Sequence, residues 1–403
     1  MSKHVNNQQE HSITTGTLWL LATAAGLIVA NLYYAQPLVG PISRATGLDP
    51  GAAGLIVTLT QIGYCLGLLF IVPLGDLLEN RKLSVSLLLA TGVALVAAAF
   101  SQSALLFLAA AFAIGLCSVA AQVLVPIAAH MSSIEKRGQT VGTVMSGLLM
   151  GIMLSRPISS LVTDAFGWHA IFLISAVATV ALAYVLHQRL PVRQPHGSMS
   201  YVQLLGSMWH LLKNTPVLRR RAAYQACIFG AFSLFWTTSP LILANERFGL
   251  SQTGIAIFAL VGVAGAAISP YAGRRADQGK SRSTTALALG VGMLAFAAPL
   301  VLHGSREFEL GMLVVSAIVL DMGVTASLVL GQRAIFSLGA EVRSRLNGLY
   351  VAIFFLGGAI GSSLGGWMYA HHGWQGVLAT GFMFPAIAFA LYLTEFAERR
   401  VTA

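Results

Sequence analysis

Residues 83 to 134 of this chain contain no Asp, Glu, Lys or Arg, and neither do residues 11 to 43, 50 to 75 or 165 to 188. About 20 consecutive apolar residues cross the hydrocarbon core of a bilayer as a helix. Runs of this length therefore constrain the chain to cross a membrane repeatedly. The first span is expected at Thr17 to Val39 and the second within 50–75. The run 83–134 is too long for one helix, and the polar turn Ser101-Gln102-Ser103 divides it into two. A fifth span occupies 138–163, interrupted by Arg156, and a sixth 165–188. After a basic stretch the scheme repeats, near 223–244, 252–273, 283–303 and 310–332. Residues 346–394 split at His371-His372-Gly373 into two more. The expectation is an all-α membrane protein of twelve helices in two halves of six.

Composition excludes a soluble enzyme. Charged residues make up 9%, against about 25% in soluble domains, and mean hydropathy is +0.76. The net charge of +10 reads as basic loops on one membrane face, with no nucleic acid partner. Cys65, Cys117 and Cys227 lie inside apolar runs without a spaced partner, so neither disulfide nor zinc site is expected. Residues 1–15 are polar and no cleavage site follows the first apolar run, so the first helix is read as retained.

The expected organisation is a cytoplasmic tail (1–16), a six-helix bundle (17–188), a basic cytoplasmic linker (189–222), a second bundle (223–394) and a cytoplasmic tail (395–403). Within the linker, Tyr201 to Leu212 reads as an amphipathic segment on the membrane surface. With the N-terminus inside, twenty Lys and Arg residues, among them Lys3, Arg193, Arg399 and Arg400, fall on the cytoplasmic side. Only Arg44, Arg247 and Arg306 fall outside. That bias fixes the expected orientation.

The halves align. Residues 137–168 match 343–374 without a gap at an offset of 206 (343 less 137), pairing Gly151 with Gly357 and Gly167-Trp168 with Gly373-Trp374. Gly147, Gly151, Ser155 and Ser159 recur every fourth position, as do Gly357, Gly361 and Gly365. Such faces allow close helix packing, and duplicated halves are a signature of secondary transporters. The loops PLGDLLENRK (73–82) and GRRADQGKSR (273–282) place Asp76 and Asp277 at similar points of each half.

These features together resemble the major facilitator superfamily over nearly the full length. The family's loop motif runs roughly Gly-x-x-x-Asp-Arg-x-Gly-Arg-Arg. Asp76 takes its Asp position with Arg81 and Lys82 at the basic end, while Val72, Leu77 and Glu79 depart from it. The second copy supplies Gly273, Asp277, Gly279 and Lys280. Gly147, Gly151 and Pro157 resemble the Gly- and Pro-rich fifth helix of drug/proton antiporters, whereas Ala111 stands where their fourth helix has an Arg. The resemblance implies the twelve-span efflux branch, drug/proton antiporter or sugar-efflux-like. It also implies that helices 1, 4, 7 and 10 face a central cavity, and that Asp76 meets the Gly348 end of helix 11 as a cytoplasmic latch.

Asp321 is the only acid in the middle of an expected span, about 17 Å deep at 1.5 Å per residue. An ionised carboxylate there is costly unless paired or wet, so Asp321 is the candidate proton carrier; the alternative is a structural Asp bonded to neighbouring helices. Arg156 is the only basic residue well inside a span. It either snorkels outward or presents charge to an anionic substrate or to Asp321. Asn31, Tyr33, Tyr34, Gln36, Gln122, Trp236 and Thr237 are cavity candidates, with Tyr33, Tyr34 and Trp236 alternatively interfacial anchors. Gln332 and Arg333 read as a gate or an anchor at the end of helix 10. The histidines form no ligand set, and no Walker or hydrolase motif is present, so no metal, cofactor or enzymatic activity is expected.

The function expected is a proton-coupled secondary transporter, an exporter of a small molecule, working as a monomer by alternating access in a bacterial inner membrane. Uptake by symport and a non-transporting sensor or lipid-handling role are the alternatives.

Overall fold

The computed structural model describes residues 13–133, 136–192, 199–339 and 341–401. Residues 1–12 of the expected tail with Lys3, residue Arg193, the last two residues, and the side chains of Arg399 and Arg400 lie outside the described residues.

The spans are α1 (Thr15–Ala30), α2 (Pro50–Asp76), α3 (Asn80–Ala99), α4 (Ala104–His130), α5 (Arg137–Phe166), α6 (Trp168–Arg189), α7 (Pro216–Ala244), α8 (Gln252–Asp277), α9 (Ser281–Val301) and α10 (Arg306–Phe336). The last run, Arg343–Glu395, breaks at Gly373 (φ 61, ψ −161) into α11 (343–372) and α12 (374–395). Ten helical runs are long and apolar enough to cross a membrane. With the shorter α1 and the division at Gly373, the described residues contain the twelve spans expected. The start of α1, the end of α12 and the linker helix therefore share one face, called the terminal face, opposite a distal face.

Side-chain caps mark several starts. Ser103, Ser251 and Ser305 accept from the backbone N–H three residues on, opening α4, α8 and α10. Gly167 (φ 81) and Gly373 (φ 61) make the α5–α6 and α11–α12 turns, a backbone region that glycine enters freely. They are the aligned pair of the sequence repeat.

The repeat extends to packing. A Cβ on Gly151 would lie 2.1 Å from Gly26 O, and one on Gly147 2.2 Å from Ala22 O. In the second half a Cβ on Gly357 would lie 2.2 Å from Ala226 O, and one on Gly361 2.0 Å from Gly230 O. Thus α5 lies on α1 as α11 lies on α7, backbone against backbone, the contact that small-residue faces permit.

Three local departures from the sequence reading stand out, two of them set by proline. α1 ends at Ala30, not Val39. Residues 31–35 form a turn, followed by a short 3-10 segment Gln36–Leu38 and the helix Val39–Thr46. Pro37 supplies no N–H to a continuing helix. α7 starts at Pro216, ahead of the expected 223, because proline suits the first helical position. α8 loosens into a 3-10 segment at Val261–Ile268.

The linker carries a helix, Tyr201–Asn214, closed at its start by reciprocal Ser200 and Gln203 bonds. It ties both halves at the terminal face: Tyr201 Oη donates to Phe70 O at 2.8 Å, and Arg345 donates to Ser207 Oγ at 2.8 Å. Leu204 and Met208 are buried beneath it, whereas Val202 and Trp209 are exposed, as for a helix lying flat on a bilayer.

Candidate functional site

The two halves meet unequally. At the distal face Thr58 Oγ1 and Ser362 Oγ lie 2.7 Å apart, and Thr253 donates to Asp164 at 2.6 Å. A Cβ on Gly54 would sit 2.1 Å from Ser362 O, so α2 and α11 touch there. Deeper in, Gln61 donates to Ser233 at 2.9 Å. Toward the terminal face the halves part around a cavity of about 630 Å³, with Leu68, Gln122 and Arg137 on one wall and Phe336, Asn347 and Gly348 on the other.

Where the halves meet lies a cluster drawn from α5, α7, α8 and α10 and from the turn after α1. α7 supplies its centre, because every residue from 228 to 240 is buried and the helix is enclosed by both halves. Trp236 Nε1 donates to Asp321 Oδ1 on α10 at 2.9 Å. The face of the same indole carries the Arg156 guanidinium from α5, 4.4 Å from its centroid. Phe232, one turn earlier, lies 4.9 Å from that guanidinium, and Tyr33, in the turn after α1, lies 5.4 Å from it. An arginine over desolvated aromatic faces gains up to about 2 kcal/mol from each. Gln36 Oε1 accepts from Arg156 Nε at 2.8 Å, which fixes the plane of the guanidinium.

Arg156 and Asp321 are the two charged residues classed as buried among the described residues, at 3% and 6% exposure. They form no direct ion pair. Each nonetheless feels the other's charge, and Trp236 joins them. The low-dielectric surroundings keep that attraction strong.

Room for Asp321 comes from glycine. A Cβ on Gly262 would lie 2.8 Å from Asp321 Oδ2, and one on Gly265 2.5 Å from Asp321 Cβ.

The donors of the cluster are in surplus. Nη2 of Arg156 and Nε2 of Gln36 are buried without a partner, each such group costing about 1–3 kcal/mol. Arg156 therefore does not snorkel: it points inward and is held there. Trp236 is not an interfacial anchor either, being 2% exposed and bonded to Asp321.

Other expected residues sit elsewhere. Asn31 accepts from Ser175 at 2.5 Å inside the first half. Tyr34 is buried, its carbonyl accepting from Ser159 at 2.6 Å. Gln122 donates to Tyr64 Oη at 3.1 Å and lines the terminal-side cavity. Asp76 shares a crevice with Ser344, Arg345 and Gly348 at the start of α11. Arg81 and Lys82 pair with Glu79 at 3.5 and 3.1 Å, and Arg81 also reaches the carbonyls of His187 and Leu190 at the end of α6. Asp277 pairs with Arg333, while Gly273 faces open space. Pro157 is buried in α5 beside Arg156. Sequence reasoning did not single out Phe232, Gly262 or Gly265. The signals were there: Phe232 and Trp236 stand four apart on one face of α7, and Gly262 and Gly265 three apart in α8. Among the described residues no group of three His, Cys, Asp or Glu is placed to hold a metal ion.

Residues 18–308 match the sequence profile of the Major Facilitator Superfamily. The chain belongs to the major facilitator superfamily. It is 39% identical over 372 residues to the uncharacterized transporter YgaY of Escherichia coli O157:H7, covering 92% of this chain and 93% of that one. It is 31% identical over 365 residues to a probable transporter of Streptomyces coelicolor, covering 89% and 83%. In fold it is similar to a bacterial homolog of the human lysosomal transporter Spinster, solved inward-facing and unoccupied. The TM-score is 0.73 at 15% identity, over 96% of both chains. The chain is thus a multi-pass membrane transporter and not an enzyme.

Proposed function

We propose that this facilitator is a proton-coupled secondary transporter of a small molecule, in which the bundles 17–188 and 223–394 rock about the Arg156–Trp236–Asp321 cluster. The observation that carries the reading is the cluster itself. It joins a buried carboxylate of one half to a buried guanidinium of the other, and such proteins hold substrate between their halves. A buried ionisable residue that contacts both halves can make their movement depend on its protonation. The seal at Thr58–Ser362 and the cavity at the opposite face agree with one stage of alternating access. The basic bias of the loops supports a bacterial inner membrane with both termini in the cytoplasm, so the cavity opens inward.

Export is the direction that the Gly- and Pro-rich α5 implies by resemblance. Uptake by symport is the second reading, and the unpartnered donors of Arg156 and Gln36 favour it, since an anion entering there pairs naturally with a proton on Asp321.

The test uses the purified protein in liposomes under an imposed pH gradient, screening sugars, amino acids, organic acids and lipophilic cations for substrate-dependent proton flux. Asp321→Asn is expected to abolish that flux while leaving substrate exchange between the two sides. Full proton-driven transport by Asp321→Asn removes Asp321 as the carrier.

A further inference from the structure

The charges of the cluster restrict what can accompany a proton through it. Arginine keeps its positive charge under all ordinary conditions. With Asp321 ionised and no substrate, the cluster is neutral. Two further occupancies disturb that balance: protonation alone leaves a net positive charge, and an anion added to ionised Asp321 leaves a net negative one. Either is costly to enclose between two helix bundles in lipid. An anion together with a protonated Asp321 restores neutrality.

The geometry supplies the donors for such an anion. Nη2 of Arg156 and Nε2 of Gln36 are unpartnered. Gln36 Oε1 is already engaged by Arg156 Nε, so the amide turns its NH2 away from that bond and both free groups are donors. Asp321 does not satisfy them, since its Oδ1 is bonded to Trp236 and it makes no ion pair with Arg156. Phe232, Tyr33 and Trp236 wall the guanidinium, which suits a flat or apolar body behind the acceptor. The one charged group acting on Asp321 is Arg156 from α5. α7 presents Trp236, and α8 presents Gly262 and Gly265.

We propose that the substrate is a small organic anion, a carboxylate with an apolar body, held by Arg156 Nη2 and Gln36 Nε2 and carried together with one proton on Asp321. This rests on the reading of the cluster as the coupling site and on the symport reading above, not on the export that α5 implies. Only the empty ionised form and the doubly loaded form cross between the two open states, so anion and proton move in the same direction.

The test is binding to the purified full chain in weakly buffered detergent near neutral pH. The probes are a panel of aromatic and aliphatic monocarboxylates headed by benzoate, each compared with its isosteric amide and amine. At least one carboxylate is expected to bind tenfold or more tightly than its amide and amine, with about one proton taken up per anion bound, because linkage is reciprocal. Arg156→Gln should weaken that binding roughly 10- to 100-fold. Gln36→Glu, nearly isosteric and placing its own carboxylate on the arginine, should abolish it even if Arg156→Gln fails to fold. Asp321→Asn should bind the anion without taking up a proton. The proposal is overturned if no carboxylate of the panel binds, if an amide or amine binds equally well, or if binding releases protons. If an amine or amide is moved with protons and Asp321→Asn uncouples it, the coupling site stands and the anion falls. If a carboxylate binds through Arg156 but Asp321→Asn keeps full proton flux in liposomes, the coupling site itself falls.

Discussion

The indole of Trp236 donates to Asp321 at 2.9 Å and carries Arg156 on its face at 4.4 Å. One side chain of α7 therefore connects the two charges buried between the halves. Trp236→Phe keeps an aromatic face for Arg156 but deprives Asp321 Oδ1 of its donor. An unsatisfied buried acceptor costs about 1–3 kcal/mol. The expected outcome is a lower unfolding midpoint in detergent together with a marked fall in proton-coupled flux. Unchanged stability and flux show that the bond positions nothing.

How far the sequence announced this arrangement depends on the kind of signal. The spans were legible because charge exclusion over about 20 residues leaves one physical solution in lipid. The halves were legible because Gly167-Trp168 and Gly373-Trp374 keep their spacing, and both glycines take positive φ. Arg156 and Asp321 were conspicuous as charges in apolar runs, yet nothing in linear order says which helices face each other. Trp236 was ambiguous for the same reason, since an aromatic near a predicted helix end serves equally as an anchor. The early end of α1 at Ala30 was masked because Asn31–Ala35 sits inside an uninterrupted uncharged run, and only Pro37 hinted at the turn.

Gly151 is tested through its packing. A Cβ there meets Gly26 O at 2.1 Å, whereas Gly142 on the same helix and Gly348 on α11 have nothing within 4 Å. Gly151→Ala must push α5 from α1, at a cost of roughly 1–3 kcal/mol or more for overpacking. Gly142→Ala and Gly348→Ala should cost nothing, or gain slightly from better helix propensity. Monodisperse yield and thermal midpoint separate the three. Equal behaviour contradicts the close approach.

Asp76 stands at the terminal-face end of α2, in one crevice with Ser344, Arg345 and Gly348 at the start of α11. A helix N-terminus favours negative charge by about 0.3–1 kcal/mol. We predict that Asp76→Asn slows turnover severalfold with the order of substrate preference unchanged, because the carboxylate lies at the terminal-face junction and outside the Arg156 cluster. Rates and preferences measured in liposomes decide; a changed preference at an unchanged rate places Asp76 in the substrate site instead.

The distal seal offers the most direct test of alternating access. Thr58 Oγ1 and Ser362 Oγ are 2.7 Å apart and belong to opposite halves. In a background with Cys65, Cys117 and Cys227 replaced by Ala, Thr58→Cys with Ser362→Cys places two thiols where a disulfide can form across the seal. Oxidation should hold α2 against α11 and stop transport, because the distal face can no longer open. The cavity beside Gln122 and Asn347 should stay reachable from the terminal face, so a thiol reagent added on that side still labels Gln122→Cys in the locked protein. Reduction should restore transport. Full transport by the oxidised protein contradicts an opening between α2 and α11. Loss of Gln122→Cys labelling on oxidation shows that closing the distal seal does not leave the opposite face open.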